Sequence, residues 1–87
     1  MEIDRCEIIE KLASENHISC EVYDESSRFG SGARVVAVEI CWGDWKHDHL
    51  RLKWLVRERF PEMRGVESFV TEEDGSDCYS AIHRFYF

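Results

Sequence analysis

Cys41 to His49 gathers more reactive side chains than any other part of this sequence. Asp44, His47 and His49 have the donor types that zinc takes, and Asp48 adds a second carboxylate for acid–base work. A zinc centre needs three or four such groups converging tetrahedrally. On a helix that begins after Asp44, His47 and His49 point about 200° apart and do not reach one ion. A metal-dependent site or small hydrolase built from Asp44, His47 and His49, with His83 as a further base, therefore needs an unwound segment or a helix beginning at Asp48. The plainer reading is a histidine packed on an apolar helix face, with no cofactor bound.

The run from Thr71 to Asp77 holds a second cluster: Glu72, Glu73, Asp74 and Asp77. With Asp74 and Gly75 as the central residues of a tight turn, Glu72 faces Asp77 across a hairpin. Like charges so opposed are mildly destabilising, and a basic partner would offset that. Solvated turn acids are the ordinary alternative. The spacing is not that of a calcium loop. Ser80, Cys78 and His83 share one strand-like run, where alternation turns Ser80 away from His83. A Ser–His pair would have to come from neighbouring strands, and no GxSxG motif supports it. Gly30-Ser31-Gly32 lacks the spacing and the following helix of a phosphate loop.

These groups need elements to hold them. Asp4 and Glu7 have capping-box spacing, with Ile3 and Ile8 as a staple, and Ile8, Ile9, Leu12 and Ala13 form one stripe. That predicts a helix over about residues 5–15, ended by Asn16 or His17, with Glu7 and Lys11 as an (i, i+4) pair. Residues 18–23 alternate as a strand, with Ile18, Cys20 and Val22 on one side. Asp24 to Gly32 reads as a flexible hairpin loop. Arg34 to Trp42 is β-branched and aromatic, a more central strand. On it Val36, Val38, Ile40 and Trp42 share one face. Asp44 suits the N-cap of a second helix running to about Phe60, with Trp45, His49, Leu52, Val56 and Phe60 on its apolar face. Lys46, Lys53 and Arg57 lie opposite, and Trp54 sits beside them. An indole among cations is either a partner anchor or a lap over the sheet edge. Residues 66–71 and 78–87 complete the strands.

The expected fold is therefore one α+β domain over residues 1–87, in the order αββαββ. It is a two-layer sandwich of two helices on a four-stranded antiparallel sheet. The last strand runs to Phe87, and an edge position there would invite a homodimer.

Charge narrows the function. Eighteen acidic residues against eleven Lys and Arg leave a net charge of −7, which makes nucleic acid an unlikely partner despite the small basic stripe on helix 2. No run approaches the roughly 18 apolar residues of a membrane span. The dispersed Cys6, Cys20, Cys41 and Cys78 suit reduced thiols in a cytoplasmic protein. In size, charge and lack of a catalytic motif the chain resembles, as a type, the small acidic inhibitors carried by phages and mobile elements, anti-CRISPR proteins among them. That resemblance implies a protein-binding inhibitor directed at a nucleic-acid-handling enzyme. The expected partner is a protein with a basic surface, met by Glu72, Glu73, Asp74 and Asp77, with Trp54, Lys53 and Arg57 as a second contact. The metal site or hydrolase is the alternative, and weak nucleic-acid binding through helix 2 the next.

Overall fold

Helix α1, Arg5–Glu15, begins where the sequence places it: the Glu7 backbone N–H donates to the Asp4 carboxylate at 3.1 Å. This computed structural model describes residues 4–30, 32–71 and 80–87, so the Ile3 half of the staple lies outside them. Lys11 reaches Glu15 at 4.0 Å rather than Glu7. The helix ends through His17, whose φ of 58° is left-handed, and the Ile18 N–H bonds back to the Ala13 carbonyl at 2.9 Å. Replacing Asp4 with Ala is expected to cost about 1 kcal/mol, read as a lower urea midpoint at unchanged slope.

Strands β1 (Glu21–Asp24), β2 (Val35–Ile40), β3 (Gly65–Thr71) and β4 (Ser80–Tyr86) form one antiparallel sheet in the order β1-β2-β4-β3. With α1 and helix α2 (Trp45–Arg59) on one face, this is the expected αββαββ sandwich. The strand expected at an edge is not there. β4 lies between β2 and β3, and among the described residues the sheet edges belong to β1 and β3. Chain order misled, because Ala81, His83 and Phe85 are all buried on β4 and such a strand gains most from a neighbour on each side. The C-terminal strand therefore offers no edge for a homodimer.

The core fills the space between helices and sheet: Ile9 and Ala13 from α1; Leu52, Val56 and Phe60 from α2 and its end; Val36, Val38, Ile40, Ala81 and Phe85 from the sheet. Trp42 leaves this pattern. β2 stops at Ile40, Gly43 turns the chain at φ 64°, and the indole is 58% exposed.

The stretch expected as a flexible loop is tethered. Ser26–Phe29 forms a 3-10 turn, held by Ser26 N–H on the Asp24 carboxylate at 2.9 Å and by Val35 N–H on Ser26 Oγ at 2.9 Å. Glu25 also pairs with Arg84 of β4 at 3.1 Å, and Phe29 meets the Tyr86 ring edge-on at 5.9 Å. This turn covers one end of the sheet face that the helices leave open, which is why Val35 is buried although it points away from them.

Candidate functional site

The segment richest in reactive groups winds into α2 and so divides its histidines. His47 is exposed, and its Nδ1 lies 3.1 Å from each oxygen of the Asp44 carboxylate. Asp44 occupies the N-cap position, but its side chain makes no capping hydrogen bond. His49 is buried on the opposite side of the helix and turns to β4. The structure therefore joins Asp44 to His47 and leaves His49 apart from both. Among the described residues, no three His, Cys, Asp or Glu side chains gather around one possible ion.

Trp54 is 65% exposed, so it does not lap over the sheet; the Arg57 guanidinium lies 5.9 Å from its ring centre. Lys53 is half-buried and Arg57 exposed. Glu72, Glu73, Asp74 and Asp77 lie outside the described residues.

His49 instead belongs to a buried polar chain. His83 Nε2 lies 3.1 Å from both His49 Nδ1 and the His49 carbonyl, and His83 Nδ1 lies 2.7 Å from Ser68 Oγ. β3 brings Ser68 directly opposite His83, so the contact follows from strand register. Burial, with added repulsion from His49 and Lys53, pushes the His83 imidazole down to about 4. Burial and the Lys53 charge also lower His49. Both rings are thus neutral near pH 7. With its proton on Nε2, His83 donates to His49 O, since a carbonyl only accepts; with its proton on Nδ1, His83 Nε2 accepts from His49 Nδ1 instead. The first tautomer leaves Nδ1 as a lone pair that accepts from Ser68 Oγ–H.

The sheet face away from the helices carries the other concentration of functional groups. Register sets Glu21 directly opposite Glu39, then Ile82, then Phe69 in one row; Tyr23, Ala37, Arg84 and Glu67 form the next. Tyr23 and Phe69 are 45% and 44% exposed. The Tyr23 hydroxyl donates to the Glu21 carboxylate, and this bond, with the charges of Glu21 and Glu39 near, pushes the phenol up to about 12. Arg84 is already engaged, bonded to Glu25 and lying 5.2 Å from the Phe69 ring centre. Tyr86 donates to Glu67 at 2.7 Å. The face is therefore aromatic with an excess of carboxylate, and its most acidic point is the Glu21–Glu39 pair.

Alternation along residues 18–23 already places Glu21 and Tyr23 away from the core, but their pairing with Glu39 needs the β1–β2 register. The chain matches no family model, no curated protein and no solved structure.

Proposed function

We propose that this chain is a protein-binding module that docks a basic segment of its partner on the open sheet face. The observation that carries this is the direct opposition of Glu21 and Glu39 beside the half-exposed ring of Tyr23, with the half-exposed Phe69 two strands further along the same row. Two carboxylates facing each other across a ladder repel, and a lysine or arginine between them relieves that repulsion. The Tyr23 ring, two residues along the same strand face from Glu21, adds an aromatic surface for that side chain. A net charge of −7 steers a basic partner toward the molecule and speeds encounter. Glu72, Glu73, Asp74 and Asp77 add to this long-range field whatever their conformation. A surface built to hold a phosphate backbone has the complementary charge, so the partner we favour is a nucleic-acid-handling enzyme and the outcome of binding is inhibition.

Titration with a fluorescent arginine-rich peptide, followed by anisotropy, tests the surface without knowledge of the partner. Binding is expected at low salt and should fall as salt rises. Changing Glu21 and Glu39 together to Gln should weaken it roughly tenfold, about 1.4 kcal/mol. Equal binding by the double variant, with loss only when Glu72, Glu73, Asp74 and Asp77 are neutralised, would remove the sheet face from the reading.

A further inference from the structure

A separate chemistry lies on the helix side of the sheet. We propose that Ser68 and His83 form a nucleophile–base pair that cleaves small aryl esters. Ser68 Oγ lies 2.7 Å from His83 Nδ1, and in the tautomer protonated on Nε2 the hydroxyl donates to Nδ1 while Nε2 donates to the His49 carbonyl at 3.1 Å. Those are the contacts an acyl-transfer serine needs: a base on its proton, and an acceptor that holds the base in the right tautomer. His83 is fully buried, so bulk water does not compete for Nδ1, whereas Ser68 itself is exposed. Val66 and Val70 flank Ser68 on the same strand face and offer an apolar wall to an acyl chain. Lys53 stands one turn beyond His49 on α2, and both imidazoles feel its charge.

In the reaction Ser68 Oγ bonds to the acyl carbon while its proton passes to His83 Nδ1. The carbonyl oxygen takes the negative charge, within the field of the Lys53 ammonium that also reaches both imidazoles. The bond from acyl carbon to aryloxy oxygen then breaks, and the proton on Nδ1 leaves with the phenol. Water attacks the acyl-serine, gives a proton through Nδ1 back to Oγ, and releases a carboxylic acid. One ester and one water yield one acid and one phenol, with no redox change. Buried and weakly basic, His83 suits a phenolate leaving group and not the amine of a peptide bond. The His49 carbonyl acts as a positioning group and touches no substrate.

Labelling with an aryl fluorophosphonate, read by intact mass and peptide mapping, tests the pair. Ser68 is expected to react roughly a hundredfold faster than the exposed Ser19, the low end of what a positioned base supplies. Ser68→Ala should abolish the adduct, and Ser68→Thr should keep it at a reduced rate. His83→Gln should bring labelling of Ser68 down to the Ser19 rate. Should that variant unfold, acidifying wild-type protein from pH 7 through about pH 4, where folded His83 takes up its proton, with circular dichroism confirming the native state, serves in its place and should slow labelling. An absent Ser68 adduct, or one formed equally fast in urea-unfolded protein, overturns the proposal. So does a rate that neither His83→Gln nor acid lowers. Esterase activity that survives Ser68→Ala would do the same.

Discussion

Between pH 7 and pH 4 the protein is expected to lose about 3 kcal/mol of folding stability through His83 alone. The folded-state value is about 4 against an ordinary 6.5. As pH falls through that window the unfolded chain takes up a proton that the native state refuses. The contribution is therefore fully present above pH 6.5 and is lost progressively toward 4. His49 is lowered too and acts in the same direction. Urea unfolding at a series of pH values measures the effect, with His83→Gln as the reference that carries every carboxylate but not this imidazole. The variant should show the flatter profile across the window. Parallel profiles would mean that His83 is not held neutral between Ser68 and the His49 carbonyl.

The second large effect is in the apolar core. Phe85→Ala is expected to cost roughly 4 kcal/mol, since the ring is fully buried on the strand that both neighbours pair with. Small domains have only about 0.05–0.15 kcal/mol of stability per residue, so this one change removes much of the total. Trp54→Ala, by contrast, should shift stability by no more than about 0.5 kcal/mol, because its indole is largely in solvent. Guanidinium unfolding of the two variants side by side decides the matter. A Trp54 loss comparable to that of Phe85 would contradict the orientation of α2.

The helices were legible because their signals are local. Trp45, His49, Leu52, Val56 and Phe60 recur at helical spacing, and all five are buried. Four strands and their antiparallel class followed from alternation and turn residues. Their lateral order did not, since β4 in the interior depends on which strand finds two neighbours, a property of the assembled sheet. The same limit hid both functional candidates. Glu21 lies 18 positions from Glu39 in sequence and Ser68 lies 15 from His83, and only ladder register brings each pair together. One signal for the second pair was present: alternation sets His83 in step with Ala81 and Phe85, a polar ring on an apolar face that required a partner. Asp44, His47 and His49 stand out as an alternative site because adjacency is visible in the letters, and the helical winding expected of that segment does part His49 from the other two.

The position of β4 also bears on synthesis. The ribosome makes that strand after the other three, yet β1–β2 and β3 have no hydrogen-bonded link without it. A nascent chain can form α1, the first hairpin and α2, but it holds β3 unpaired until β4 emerges from the exit tunnel. Closure of the sheet is then a late event governed by long-range pairing, and the partly made chain exposes apolar strand surface to chaperones in the meantime.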